Sequence, residues 1–465
     1  MSETATQQDI ASSANWRTLL GRRFGPVSSV LAGGVGLHAT NVYLAATVMP
    51  SVVADIGGAA LYAWATTVFM IVSLIGSVLA GAVLGRIGPR AAYRWTAAIL
   101  TAGTVLCALA PSMPVLLVGR AIQGLGGGLL FALCYSIVRV ALPSALWPRA
   151  MALVSAMWGV ATLIGPALGG LWAQLEFWRG AFWMLVPIAA VFGVLASTLP
   201  QRSGEPASRR VPWMSMGLLT AAVLIMSIAS VTGSLTINGI GVLLAVALLI
   251  VWLFHERRTG TGVLPRATFG PGRRLALIYL TSAMLVIAST VEVFVPYFGQ
   301  HLQGLNPLAA GYLGAIMAAG WTIGSVAFSG VTLRTALLIG WAPASSVLGL
   351  LLLVAAGPRQ SGAIIVVLTV GLGLLLLGLG IGAAWPHLLT AVLKLAGDKD
   401  QDLAGASATT IQLGATAIGS ALAGTVTNIA SFTDPTSTAD AAQWLFAIFI
   451  VPALIALSSA WFARR

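Results

Sequence analysis

An all-α integral membrane protein is what this sequence predicts, with fourteen transmembrane helices laid out as two six-helix halves and an inserted helix pair. Three observations carry that prediction. Of 465 residues, 58% are hydrophobic and 8% are charged, against about 25% charged in soluble domains. The apolar residues fall into windows of about 20, the length a helix needs to cross a bilayer. The basic residues, finally, collect in alternate polar segments, as they do when those segments share one side of a membrane.

In chain order, the first span is placed at 26–50, behind Arg22-Arg23 and ending on Pro50. Spans at 63–84 and 95–111 are separated by a basic stretch holding Arg86, Arg90 and Arg94, read as a loop. The fourth, 114–140, contains Arg120 and Gln123, and the fifth, 150–172, is rich in glycine and interrupted by Pro166. The sixth, 180–199, opens after Trp178-Arg179. Spans at 212–231 and 237–254 lie between the basic linkers Gln201 to Arg210 and His255 to Arg274 and carry no charge within the membrane. The remaining six are 274–299, 308–330, 335–356, 361–393, 403–429 and 441–462.

An internal repeat orders these spans. Ile75-Gly76-Ser77-Val78 recurs as Ile323-Gly324-Ser325-Val326, with Arg86 and Arg334 each ten residues after the glycine. Gly165-Pro166-Ala167-Leu168-Gly169-Gly170 is echoed by Gly419-Ser420-Ala421-Leu422-Ala423-Gly424, and the two offsets, 248 and 254, fit one duplication. Residues 1–25 are therefore read as a cytoplasmic tail, 26–199 as the N-terminal half, 200–273 as linkers with the inserted pair, and 274–465 as the C-terminal half.

The net charge of +12 does not point to nucleic acid, because it is sorted by membrane side. With the N-terminus inside, 21 of the 24 Lys and Arg are cytoplasmic, Arg179 and Arg359 are outside, and Arg120 lies within a span. Both termini are expected in the cytoplasm of a cell whose inner membrane this chain spans. Residues 1–25 lack an apolar core and cleavage site and are read as a retained tail. Cys107 and Cys134 fall within helices in no metal or redox spacing, so no metal and no cofactor are expected.

Three motifs in order carry a resemblance. Gly159 to Gly170 reads G-V-A-T-L-I-G-P-A-L-G-G, in which Pro166 removes a backbone donor while Gly159, Gly165, Gly169 and Gly170 expose bare backbone, so the helix can bend and pack closely. Upstream stands Arg120-Ala121-Ile122-Gln123-Gly124, and downstream Trp178-Arg179-Gly180-Ala181-Phe182-Trp183. Together they resemble the fourteen-helix drug:proton antiporter branch of the major facilitator superfamily. The resemblance implies a substrate site near mid-membrane between the halves, alternating access by rocking, a gate involving the Gly159–Gly170 helix with Arg86 and Arg90, and a proton-relay or substrate-contact role for Arg120 with Gln123. Two positions depart from that branch: Asn41 stands nine residues before Pro50 where the branch has Asp, and Gly85 occupies the Asp position of the loop after the second span.

Among twelve acidic residues, Glu292 alone sits well inside a span. An ionised carboxylate there costs roughly 2.5–3.5 kcal/mol, so it is expected to face the bundle interior and to carry a coupling proton. One proton moving down about 150 mV supplies roughly 3.5 kcal/mol. His38, three residues before Asn41 and on the same helix face, is the second candidate for proton coupling. Asn41, Tyr43, Arg120, Gln123, Trp158, Tyr297, Trp321, Trp385, His387 and Gln412 are candidate substrate contacts, an aromatic and weakly charged set that suits a planar or amphipathic organic molecule. The expected partners are a small organic substrate, protons and the lipid bilayer, with the chain acting as a monomer. The function read from these residues is proton-coupled export by a secondary transporter, with uptake or facilitated passage of a heterocyclic vitamin of the riboflavin type and lipid flipping as the alternatives. No nucleophile motif or phosphate loop points to an enzyme.

Overall fold

The computed structural model describes residues 16–201, 211–259, 262–270, 272–328, 335–397 and 400–463, so Arg334 of the repeat lies outside the described residues. Within them the regular structure is helical, without strands. A short helix, α1 (Trp16–Leu20), lies against the first long one, α2 (Gly25–Ile56), and Ser28 donates to the Leu19 carbonyl at 3.2 Å. Then follow α3 (Trp64–Ala108), α4 (Met113–Ala141), α5 (Trp147–Gln174), α6 (Arg179–Leu195), α7 (Trp213–Ser230) and α8 (Leu235–Thr259). The rest comprises α9 (Arg274–Ser289), α10 (Val295–His301), α11 (Pro307–Phe328), α12 (Thr335–Ala356), α13 (Ile364–Ala396), α14 (Gln401–Ile429) and α15 (Thr438–Ala463). Twelve helical segments among the described residues are long and apolar enough to cross a membrane; Ala59–Ala108 doubles back on itself, and the more polar α14 adds a further crossing, which brings the total to fourteen.

Two expectations are corrected. The second and third spans are not joined by a loop: α3 holds two helices that meet at a kink, and the chain reverses at Gly88 alone, with φ 74° and ψ 168°. That φ is open to glycine and strained for other residues, and Pro89 then starts the return helix with its φ already set. The ninth span is not one helix either. It breaks between α9 and α10 into a 3-10 turn, Thr290–Phe294, in which the Val295 amide donates to the Glu292 carbonyl. Pro296 has no N–H with which to continue the α pattern, so the tighter i+3 bond takes over.

Close backbone approach holds the helices together where glycine permits it. A methyl at Gly128 would sit 2.0 Å from the Ser73 carbonyl oxygen, so α3 and α4 can meet only while that position is bare. Ser73 donates to the Gly124 carbonyl at 3.0 Å in the same seam.

The inserted pair extends beyond the bounds read from the sequence. The eighth helix continues to Thr259 and buries Glu256 to 2% exposure. Its carboxyl accepts from Ser215, from the Val263 amide at 3.1 Å and from the Leu264 amide at 2.8 Å. Ser407 of α14 donates to the Val263 carbonyl, so Val263 is held through both its amide and its carbonyl. Glu256→Ala leaves two buried N–H groups without acceptors, a loss of roughly 2 kcal/mol or more, and a lowered Tm of the purified protein is expected. Glu256→Gln, which keeps one acceptor, falls between, and an unchanged Tm for both would show that the staple contributes nothing.

Candidate functional site

On the side of the molecule built by α2 to α5, a buried cation organises the interior. Arg120 of α4 is 1% exposed. Its Nε donates to the Ala65 carbonyl at 3.0 Å, and its Nη1 donates to the Asn41 side-chain oxygen and, at 2.8 Å, to Gln123 Oε1. The guanidinium lies 4.2 Å from the centre of the Phe69 ring, in cation–π contact. Gln123 in turn donates to Thr104 at 2.9 Å and accepts from Cys107 Sγ at 3.5 Å. Every group that receives a hydrogen bond from Arg120 is neutral. Asn41, at the position where the resemblance implies Asp, thus leaves the cation held by neutral dipoles.

One turn earlier on α2, His38 lies between Phe69 and Phe131, with ring centroids 5.4 Å from each, and meets the edge of Trp158 at 6.0 Å. Its Nδ1, like Asn41 Nδ2, is buried without a hydrogen-bond partner.

Glu292 approaches from the other set of helices, α9 to α15. The carboxyl sits in the 3-10 turn of the broken ninth span, is half-buried, and makes no hydrogen bond among the described residues. Its charge acts electrostatically on the Tyr43 hydroxyl of α2, on the side of the molecule that also holds Thr162 of α5. Thr162 donates to the Trp158 carbonyl at 2.9 Å. A carboxyl on 3-10 backbone at a helix break, within electrostatic reach of a tyrosine on the other set of helices, is positioned to respond to movement between the two sets.

Next to it the two sets are locked at one end of the molecule. Tyr62, in the turn after α2, inserts among Phe294, Tyr297 and Phe432, at ring separations of 4.8, 5.8 and 5.8 Å. Ser420 donates to the Ala63 carbonyl at 3.2 Å, and Asn428 to the Ala60 carbonyl at 2.8 Å. A methyl at Gly170 would lie 2.6 Å from Leu308 Cα, and one at Gly311 would lie 2.5 Å from Thr47 Cγ2, so α5 meets α11 at backbone distance there and the Thr47 side chain of α2 packs on the bare Gly311. The α7 helix bridges the same end, because Trp64 donates to the Ser227 carbonyl and Asn428 to the Ser230 carbonyl, both at 3.1 Å.

Residues 31–215 match the sequence profile of the Major Facilitator Superfamily. A probable multidrug-efflux transporter of Mycobacterium tuberculosis is 41% identical over 443 residues, which cover 92% of this chain and 92% of that protein. The chain belongs to the major facilitator superfamily. It is a multi-pass secondary transporter and not an enzyme. Multidrug resistance protein 3 of Bacillus subtilis is 25% identical over 304 residues, 63% of this chain and 58% of that protein. Among solved structures, a D-xylose–proton symporter superposes with a TM-score of 0.68 at 14% identity over 95% of this chain and 97% of that one, a likeness of fold alone.

In this major facilitator fold the other sequence candidates scatter. Gly165 and Gly169 of α5 lie against Tyr43, Leu44 and Thr47 of α2, Gly170 against Leu308, and Gly159 only loosely against Thr322, with Pro166 buried among them. Trp321 and Trp385 form a tilted pair 5.2 Å apart, half-buried, and Gln412 is half-buried on α14. Three candidate contacts are placed differently from expectation. Tyr297 is 5% exposed inside the aromatic lock and stacks on His301 at 4.0 Å, so it is packed between the two sets of helices and not open to a ligand. His387 directs Nε2 to the Phe328 carbonyl at 2.8 Å and caps the end of α11. Gln123, 0% exposed and bonded at both amide atoms, holds Arg120 in place. Arg90, expected at the gate, donates to the Leu199 carbonyl at 3.1 Å and to Gln201 at 3.4 Å on its own side of the molecule, while Arg86 is exposed at the end of the second span. Sequence reasoning missed Tyr62, Phe294, Phe432 and Thr162; none belongs to a motif, and only the fold brings them together.

Proposed function

We propose that this transporter exports small aromatic or amphipathic molecules in exchange for protons, with Glu292 as the coupling acid and His38 as a second titratable group. The observation that carries the reading is Glu292 itself, a carboxyl with no hydrogen bond among the described residues, at the break of a span and within electrostatic reach of Tyr43 on the other set of helices. Export is supported by the relatives named as multidrug-efflux proteins. The basic residues Arg86, Arg90, Arg94, Arg257 and Arg258 all fall at the end opposite the aromatic lock, which supports a cytoplasmic opposite end and an outward-facing lock. Both termini are then cytoplasmic in the inner membrane, residues 26–199 and 274–465 are the rocking halves, and 200–273 carry the bridging pair. With its outer end shut, the molecule stands ready to receive substrate from the cell. Trp158, Tyr43, Trp321, Trp385 and Gln412 line the route in this scheme, and the glycine face of α5 is the sliding surface that lets it change sides. The chain works as a monomer.

Inside-out vesicles from cells expressing the full chain test this. On acidification of the lumen they are expected to accumulate a labelled aromatic probe, and a protonophore is expected to collapse the gradient. Accumulation that ignores the proton gradient would refute proton exchange.

A further inference from the structure

Arg120 is a full positive charge 1% exposed, and its surroundings contain no carboxylate that bonds it; among the described residues the ion pair is Arg179–Asp55, elsewhere in the fold. A buried cation left with dipoles alone is poorly compensated, since a counter-charge in a low-dielectric interior stabilises it far more than carbonyls do. Asn41 sharpens this. Its oxygen is committed to Arg120, which leaves Nδ2, a donor, buried beside the guanidinium with no acceptor. An aspartate at that position would have brought a negative charge and no donor. The Nη2 nitrogen of Arg120 also makes none of the described hydrogen bonds. Two donor groups with free capacity, one of them charged, sit together and want an acceptor. Next to them stands an aromatic wall, in which Phe131 meets Trp158 at 6.1 Å and both face His38.

We propose that the molecule this transporter carries is an anion, an aromatic carboxylate or sulfonate whose charge is taken up by Arg120 and the Asn41 amide while its rings lie against His38, Phe131 and Trp158. The inference rests on the reading of the chain as a proton-coupled exporter of small aromatic molecules and fixes the charge of what is exported. It has an energetic corollary. An anion leaving and a proton entering move charge in the same electrical direction, so the inside-negative membrane potential drives both legs, whereas an exported monocation would cancel the proton.

The test uses two labelled probes of equal ring size and opposite charge, 1-naphthoate and 1-naphthylmethylammonium, with the purified full chain. Naphthoate is expected to bind at least tenfold more tightly than the ammonium ion. Asn41→Asp, which returns a carboxylate to Arg120, is expected to erase that preference, and Asn41→Gln to keep it. Equal or stronger binding of the ammonium ion by the unaltered protein, or a preference untouched by Asn41→Asp, overturns the inference. The two readings fail separately. Proton-driven export of the ammonium ion together with weaker naphthoate binding would leave the exporter standing and sink the anion preference. Tenfold naphthoate preference without proton-driven movement would do the reverse.

Discussion

Glu292→Gln is expected to abolish concentrative transport while leaving substrate binding and energy-independent exchange largely intact. Glutamine copies the shape of a protonated glutamate and cannot release a proton, so the halves still rock but the two directions are no longer coupled to the proton gradient. The loss is large because one proton carries roughly 3.5 kcal/mol at about 150 mV, which converts to a concentration ratio of a few hundred. The measurement is steady-state accumulation in energised vesicles beside counterflow in de-energised ones. Because the carboxyl makes no hydrogen bond among the described residues, the substitution has no structural bond to break, and a fall in counterflow as steep as the fall in accumulation would point to damage rather than uncoupling. A variant that still builds a proton-driven gradient would remove Glu292 from the mechanism.

Tyr62→Ala is expected to open the outer end. The ring packs between Phe294 at 4.8 Å and Tyr297 and Phe432 at 5.8 Å, and it is 1% exposed. Emptying such a site costs roughly 3–5 kcal/mol, and that cost falls on the closed arrangement alone, because the cluster exists only when the two sets of helices meet. At about 1.4 kcal/mol per tenfold, the population should shift by at least a hundredfold. A cysteine at Thr47, in a protein whose native Cys107 and Cys134 are replaced by serine, should then react with an impermeant maleimide added outside. Tyr62→Phe is expected to act in the opposite sense. The Tyr62 hydroxyl is buried with no partner, which weakens the closed state by roughly 1–3 kcal/mol, and phenylalanine removes that burden. Labelling that is the same in all three proteins would show that the cluster is not a gate.

The helical plan was legible because bilayer chemistry writes it in hydropathy and in the sidedness of arginine, and those signals need no knowledge of which residues touch. The reversal at Gly88 was not legible, because a basic Gly-Pro run reads as a loop while one left-handed glycine suffices to turn the chain. Glu292 stood out as a lone acid in an apolar run, and Pro296 marked the break that holds it. Tyr43 stood out as a candidate substrate contact, but its electrostatic link to Glu292 and the lock of Tyr62, Phe294 and Phe432 did not, since contacts across hundreds of positions leave no periodicity in the sequence. His387 and Tyr297 show the converse limit: a polar or aromatic residue in a span reads the same whether it faces a substrate or a neighbouring carbonyl.

The Glu256 staple bears on the order in which the chain assembles. Ser215, Glu256, Val263 and Leu264 lie within one short stretch of sequence, so the inserted pair and the segment behind it can close on themselves while the later helices are still being made. The Val263 carbonyl then awaits Ser407, which is 144 positions further on. When α14 emerges it can dock on an edge already tied to Trp64 through Ser227, and its Asn428–Ser230 bond adds to the contacts between the two sets of helices. The inserted pair thereby serves as a template laid down between two similar halves, giving the later one a fixed place to arrive.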